Sequence, residues 1–103
     1  MSNLPTALDP LIHQPIRTRL LAFLAARGEA TFSELKQELA VTDGNLDAHL
    51  KKLLAAGYLD KRKDDSGGRP QTLFALTAQG SKSFKIYLGM LERLIQTTQR
   101  NAQ

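Results

Sequence analysis

The 103-residue chain contains no cysteine, and this absence removes several classes of function. Disulfide frameworks, thiolate metal sites and cysteine nucleophiles are all excluded. The composition fits a reducing compartment. No apolar run approaches the roughly 18 residues that a membrane span needs. The first residues, Met1 to Pro5, carry neither the basic region nor the apolar run of a secretory signal. The expected protein is therefore small, soluble and cytoplasmic, with no membrane as partner.

Motifs for catalysis are missing as well. The chain has no serine–histidine–aspartate order, no glycine loop that can cradle a phosphate and no pair of metal ligands. We therefore expect no enzyme, no cofactor and no bound metal. Aromatic residues make up only 6% of the chain, and all except Tyr58 occupy core-like positions. Because RNA readers usually stack unpaired bases on exposed aromatic rings, duplex DNA is favoured over RNA.

Hydrophobic residues make up 42% of the sequence, which is enough for one folded domain over residues 1–103. The net charge of +4 is unevenly distributed. Residues 1–50 hold four basic and six acidic side chains, whereas residues 51–103 hold ten basic and four acidic ones. This asymmetry suits a surface that faces a polyanion, although a basic solvated surface explains it equally well.

Helical periodicity begins at Pro15, after a short turn that Asp9 and Pro10 open. An apolar face then continues as far as Gly28, which suits a helix C-terminus. Thr31 to Glu34 form a capping box at the start of a short second helix. Thr42 is the next N-cap, and the helix that follows carries an inward stripe of Leu46, Leu50, Leu53 and Leu54.

Two helices joined by a turn of a few residues predict a helix-turn-helix. Residues 58–63 and 71–77 then alternate like two strands around a polar, glycine-containing tip at 64–70. A β-hairpin directly after the second helix is the wing of a winged helix. The predicted fold is mainly α, of the α+β class. It has a winged-helix core at 8–77, with its wing at 58–77, and a C-terminal helix at 78–100.

Several sequence blocks, in this order and spacing, resemble small winged-helix transcriptional regulators of the ArsR/MarR-like superfamily. Residues 8–17 (LDPLIHQPIR) look like the opening of these proteins. The segments TDGNL, HLKKL and AGYL, at 42–46, 49–53 and 56–59, are similar to their recognition-helix block. The segments GRP and FALT, with Gly80, are similar to the wing and the start of the last helix. The resemblance covers roughly residues 8–95 and implies a homodimeric DNA-binding regulator.

Two departures from that family pattern stand out. Its metal-sensing members use cysteine or clustered histidine and acidic ligands, whereas this chain has only His13 and His49. A metal sensor is therefore not expected, and His13 is interpreted as structural. Position 47 is aspartate, where these regulators often carry a small hydroxyl residue. Because a carboxylate is repelled by phosphates, Asp47 needs a base-edge or an intramolecular partner.

The helix at about 43–56 is the predicted recognition helix, whose N-terminal part would enter the major groove. Asn45 can pair with adenine, Ala48 can touch a thymine methyl group, and Gly44 lets the backbone approach. Lysines suit phosphates, and so does a hydroxyl beside a helix N-terminus. The predicted contacts of this helix are Thr42, Asp43, Gly44, Asn45, Ala48, His49, Lys51 and Lys52.

Some of these residues have a second interpretation. Asp43 can accept from cytosine but fits helix capping better. His49 can donate to a phosphate or pack between helices. Lys51 and Lys52 can equally form a solvated face. In the wing, a glycine-bearing tip with an arginine suits a narrow minor groove, although edge lysines also serve to block aggregation. The predicted wing contacts, within 61–70, are Lys61, Arg62, Lys63 and Arg69.

The last helix carries an apolar stripe that is too long for so small a domain to cover completely. Part of the stripe must be core, and we expect the rest to form a two-fold dimer that reads a palindrome. The predicted dimer residues are Phe84, Tyr87, Leu88, Leu91, Leu94 and Ile95. The alternative function is a winged helix used only for protein–protein contact. No residue pattern identifies a small-molecule effector, and the existence of one stays open.

Overall fold

The computed structural model describes residues 7–101, which form four helices and a three-stranded antiparallel sheet. The elements in chain order are α1 (Pro15–Arg27), β1 (Glu29–Thr31), α2 (Phe32–Leu39), α3 (Asp43–Ala55), β2 (Leu59–Asp64), β3 (Gln71–Leu76) and α4 (Ala78–Asn101). The strand order is β1-β3-β2, so the hairpin of β2 and β3 is extended by the short strand β1. This arrangement is a winged helix-turn-helix followed by a C-terminal helix, and it confirms the predicted fold class.

The helix boundaries follow the local capping signals. Gln14 accepts a hydrogen bond from the Arg17 backbone amide at the start of α1, and Gly28 ends the helix with a φ of 98°. Thr31 Oγ1 accepts from the Glu34 amide at 3.1 Å, and the Glu34 carboxylate accepts from the Thr31 amide at 2.9 Å. This reciprocal pair is the predicted capping box, and it holds the pKa of Glu34 below its usual value.

The turn between α2 and α3 is short because its residues serve as caps. Ala40 ends α2 in the left-handed conformation, with a φ of 54°. Thr42 then opens α3, and its Oγ1 accepts from the Asn45 amide at 3.2 Å. A turn of three residues, 40–42, therefore joins the two helices of the helix-turn-helix.

The core lies between the helices and one face of the sheet. Leucines of α1, α2 and α3 form its centre, and Ala30, Leu59 and Phe74 contribute from the three strands. Ile12, in the turn that precedes α1, is also fully buried. Asp9 holds this turn, because its side chain and carbonyl accept backbone amides of residues 11–13. The described residues contain no buried side-chain polar atom without a hydrogen-bond partner.

The last helix packs against the domain along its first half and as far as Leu91. Gly80 lies so close to the residue before β2 that a Cβ atom there would stand 2.1 Å from the Tyr58 carbonyl oxygen. Phe84 and Tyr87 of α4 are buried in the core, at 4% and 3% exposure. No residue from Leu88 to Arg100 is buried. The second half of α4 therefore extends beyond the part of the subunit that covers it.

Candidate DNA-binding surface

The first turns of α3 are exposed because the buried stripe of this helix occupies the opposite face. Leu46, Leu50 and Leu53 point into the core. The residues at the start of α3 and along its solvent side are exposed: Thr42, Asp43, Gly44, Asn45, Asp47, Ala48, Lys51 and Lys52. The predicted recognition residues, apart from half-buried His49, are thus all accessible to solvent. We name this set the α3 surface.

Gly44 leaves open space on the α3 surface. A Cβ atom built at this position would meet no neighbouring atom within 4 Å. The packing of the subunit itself therefore does not require glycine here. The absent side chain leaves the backbone of the first turn of α3 open to solvent.

Both carboxylates of the α3 surface have intramolecular partners. Lys36 Nζ of α2 lies 2.8 Å from Asp43 Oδ1, across the turn of the helix-turn-helix. Lys51 Nζ lies 2.9 Å from Asp47 Oδ2, one helical turn away. Asp47 was expected to need a base-edge or an intramolecular partner, and within the subunit that partner is Lys51. Within residues 7–101, Lys52 has no acidic partner, which leaves it as the unpaired cation of the α3 surface.

His49 is half-buried, and its side chain contacts α1. Its Nδ1 lies 3.1 Å from Arg17 Nη1, and the Arg17 Nε also donates to the Leu11 carbonyl oxygen. Burial lowers the pKa of His49 below 6.5, and the positive charges of Arg17 and Lys52 lower it further. The imidazole is therefore neutral near pH 7, and it links α3 to α1.

The register of the sheet sorts the wing charges onto two faces. Lys61 pairs with buried Phe74 and Lys63 pairs with Thr72, so both lysines lie on the face that carries the core. Arg62 alternates to the other face, since side chains of a strand point to opposite sides in turn. There its Nη2 donates to both carboxylate oxygens of Glu29, at 3.0 and 3.1 Å. Of these three predicted contacts, Arg62 is thus the one engaged within the subunit.

The tip of the wing is ordered by its own polar groups. Asp64 Oδ1 accepts from the Ser66 hydroxyl at 2.6 Å and from the Ser66 amide at 3.1 Å, and these bonds lower the pKa of Asp64. Gly68 supplies the left-handed conformation of the turn, with a φ of 82°. Arg69 is exposed and lines a shallow cleft with the start of α2.

Two of the predicted dimer residues are already buried within the subunit. Phe84 and Tyr87 are covered by its own core, and Tyr87 also places its hydroxyl 2.8 Å from His13 Nδ1. Little of either side chain is therefore exposed to a second subunit. Leu88 and Ile95 are 44% and 54% exposed. Leu91 and Leu94 are partly buried.

Three partner residues were not predicted from the sequence: Arg17, Glu29 and Lys36. Each of them contacts a predicted site residue from a different element, over 7 to 33 positions of the chain. The patterns that identify caps and faces report neighbours within a few residues only. No local signal therefore marked these three.

Residues 7–101 contain no cluster of three or more metal-ligating side chains. No helix in that range has the length and hydropathy needed to cross a membrane.

Comparison with known proteins identifies the family. A family model described as a winged helix DNA-binding domain matches residues 16–95. The uncharacterized protein MJ0432 of Methanocaldococcus jannaschii is 36% identical over 78 residues, which cover 76% of this chain and 85% of that protein. A transcriptional regulator homologue from Pyrococcus horikoshii OT3 superposes with a TM-score of 0.81 at 31% identity, over 85% of this chain and 87% of the other.

The fold extends to more distant proteins. A protein of Enterococcus faecalis V583 that is assigned to the MarR family of transcriptional regulators covers 98% of both chains, with a TM-score of 0.79 and 19% identity. The predicted resemblance to small winged-helix regulators is thereby confirmed. Family and fold support a DNA-binding transcriptional regulator. The chain belongs to the winged helix DNA-binding domain family.

Proposed function

We propose that this protein is a sequence-specific regulator that binds a palindromic DNA operator as a homodimer. Helix α3 enters the major groove and the wing contacts the adjacent minor groove. The observation that carries this proposal is the α3 surface. It exposes Asn45, Gly44 and Ala48 toward solvent while Asp43 and Asp47 are neutralised by lysines. Such a surface combines base-reading groups with little repulsion toward phosphates.

Within α3 we assign base contacts to the residues that present small or amide side chains. Asn45 suits the N6 and N7 edge of adenine, and Ala48 suits a thymine methyl group. Phosphate contacts fall to Thr42, at the N-terminus of the helix, and to Lys52, with Lys51 the weaker candidate because it pairs with Asp47. Asp43 is assigned to the pair with Lys36 and not to a base. His49 is assigned to its contact with Arg17, which engages Nδ1.

In the wing, we assign minor-groove and phosphate contact to Lys61, Lys63 and Arg69. Lys61 and Lys63 share the face of the sheet that carries the helical core, and Arg69 is exposed at the tip. Arg62 is the weaker candidate because Glu29 accepts both of its hydrogen bonds. A single arginine at a glycine-bearing tip fits the negative potential of a narrow minor groove.

The homodimer is supported by the stripe on the second half of α4. Leu88, Leu91, Leu94 and Ile95 fall within an arc of about 120° that continues the face of Phe84 and Tyr87. The subunit buries the first part of this face and leaves the second part partly or largely exposed. A two-fold partner would cover it and set two α3 helices about one DNA turn apart, which corresponds to a palindromic site.

A small-molecule effector is a further part of this proposal. A cleft of about 390 Å³ lies between the start of α1 and the middle of α4, lined by His13, Gln14, Pro15, Thr18, Arg19 and Tyr87. One protein of similar fold, NadR, was solved in complex with 4-hydroxyphenylacetate; it is 19% identical, with a TM-score of 0.71 over 91% of this chain and 69% of that one. The cleft adjoins the helix that we assign to dimer formation, so a bound molecule there can alter the spacing of the two α3 helices.

Selection of duplexes from a randomised pool tests the function and does not require the operator sequence. We expect an enriched inverted repeat whose half-site centres are about one helical turn apart. Lys52→Ala should weaken binding to every duplex and reduce the salt dependence by about one counterion, whereas the matched change Lys85→Ala on α4 should not. Enrichment of no sequence would reject specific recognition and favour a module for protein–protein contact. A single, non-repeated site would reject the dimer.

A further inference from the structure

The guanidinium group of Arg17 connects α1, the turn before it and α3. Arg17 lies in the first turn of α1, donates through Nε to the Leu11 carbonyl in the preceding turn, and places Nη1 3.1 Å from His49 Nδ1 in α3. Arg17 has no acidic partner among residues 7–101. Its contacts are therefore hydrogen bonds to neutral acceptors and not an ion pair.

The contact determines the protonation state of His49. An arginine guanidinium has only donors, so His49 Nδ1 must offer a lone pair. The ring proton then resides on Nε2. A doubly protonated imidazole has no acceptor left, and it would also add a positive charge beside Arg17.

The charged groups that act on His49 are both cations: Arg17 from α1 and Lys52 from α3 itself. Asp9, the acid in the turn before α1, has its hydrogen bonds directed at other groups. One of its carboxylate oxygens accepts from the Tyr58 hydroxyl at 2.6 Å, and the other accepts from the Leu11 amide at 3.0 Å. Burial and these two cations lower the pKa of His49.

We propose that Arg17 is a positioning residue for DNA recognition, which orients α3 by holding His49 in the neutral Nε2–H tautomer. This inference rests on the proposed function, in which α3 is the recognition helix. Acidification protonates His49 and breaks its hydrogen bond to Arg17. Helix α3 then loses its connection, through Arg17, to the turn before α1. Operator binding therefore weakens in acid, although a gain of positive charge beside phosphates would by itself strengthen it.

The pH profile of operator binding, between about pH 8 and about pH 5, tests the proposal. We expect the wild type to lose about fivefold in affinity on acidification, relative to a scrambled duplex. His49→Asn keeps an acceptor near the Nδ1 position and does not titrate. It should bind within about twofold of the wild type at neutral pH and lose the acid response. His13→Asn alters the only other histidine and should retain the response.

Arg17→Lys keeps the charge but not the planar fork that reaches two acceptors. We expect about fivefold weaker operator binding at neutral pH, with the same helical content by circular dichroism. An unchanged acid response in His49→Asn, or acid-enhanced binding that disappears in it, would overturn the proposal.

Nitrogen NMR of the free protein gives a readout that needs no DNA. The imidazole nitrogens of His49 should show an unprotonated Nδ1 in the wild type, and a mixture of tautomers in Arg17→Lys. A protonated Nδ1 in the wild type contradicts the proposal. If Lys52→Ala and Asn45→Ala leave DNA binding unchanged, α3 is not the recognition helix and the proposed function fails. The NMR measurement still tests the Arg17–His49 contact in that case, because it does not depend on DNA.

Discussion

Lys51 and Asp47 form an ion pair on the exposed side of α3, with 2.9 Å between Nζ and Oδ2. Exposed pairs of this spacing contribute only about 0.3–0.5 kcal/mol to stability. We expect a larger effect on DNA binding, because the carboxylate occupies a lysine that we assign to phosphates. The pair should therefore reduce binding that does not depend on sequence.

Replacing the carboxylate of that pair should therefore strengthen DNA binding in general. We expect Asp47→Asn to raise affinity severalfold on both the operator and scrambled duplexes, and to steepen the salt dependence by about one counterion. Fluorescence anisotropy over a salt series measures both quantities. Glu92→Gln on α4 makes the same change in net charge. An equal gain in that variant would show that net charge, and not the release of Lys51, is responsible.

Asn45 should carry sequence discrimination and not general affinity. We expect Asn45→Ala to cost about 1–3 kcal/mol on the operator and much less on a scrambled duplex, because the lost hydrogen bonds involve base edges. Its backbone amide, which Thr42 caps, is unaffected by the change. Gln99→Ala removes an exposed amide from α4 and serves as control. Equal losses on both duplexes would reject Asn45 as a base reader.

The two faces of the wing should differ in their contribution to binding. We expect Lys63→Ala to weaken binding to any duplex and to reduce the salt dependence by about one counterion, since Lys63 has no acidic partner among residues 7–101. Arg62→Ala should have a smaller effect, because Glu29 already neutralises that charge. A larger loss for Arg62→Ala than for Lys63→Ala would reverse the assignment of the faces.

Gly80 should be essential for the packing of α4 on the wing. A Cβ atom at this position would stand 2.1 Å from the Tyr58 carbonyl oxygen, so backbone must shift. We expect Gly80→Ala to lower the free energy of unfolding by about 1–3 kcal/mol. Gly89→Ala, on the same helix, meets no neighbour within 4 Å and should raise it by about 0.5–1 kcal/mol. Thermal unfolding followed by circular dichroism measures both, and equal Tm values for the two variants would refute the packing role.

Much of the fold was predictable because its signals are local. The caps at Thr31 and Thr42 and the stop at Gly28 each involve residues within four positions of one another. Strand β1 was not predicted, because its three residues pair with β3, more than 40 positions away. A strand of that length carries no periodicity of its own.

The candidate site shows the same limit. Helical spacing identified the exposed face of α3, but it could not reveal that Arg17 lies beside His49 or that Glu29 binds Arg62. The apolar stripe of α4 was also predicted as a whole. Periodicity does not tell which part the subunit covers, so it could not reveal that Phe84 and Tyr87 are buried within the subunit itself.

The dimer itself should depend on the exposed side of that stripe. We expect Leu88→Lys and Ile95→Lys to yield monomers in sedimentation. Operator binding should weaken strongly, because each monomer then binds its half-site without the help of a linked partner. Ile86 is 52% exposed but lies about 160° from Leu88 around the helix, so Ile86→Lys should leave the dimer intact. A monomeric wild type at micromolar concentration without DNA would contradict the dimer.

The most direct test of sequence-specific regulation is the anisotropy of a labelled duplex from upstream of the protein's own gene, compared with a scrambled duplex over a salt series. We expect tighter, salt-dependent binding to the upstream duplex. Equal, salt-sensitive binding to both would contradict specific recognition of that site. Absence of binding to either at low salt would contradict DNA recognition by the free protein and would favour a winged helix that serves protein–protein contact.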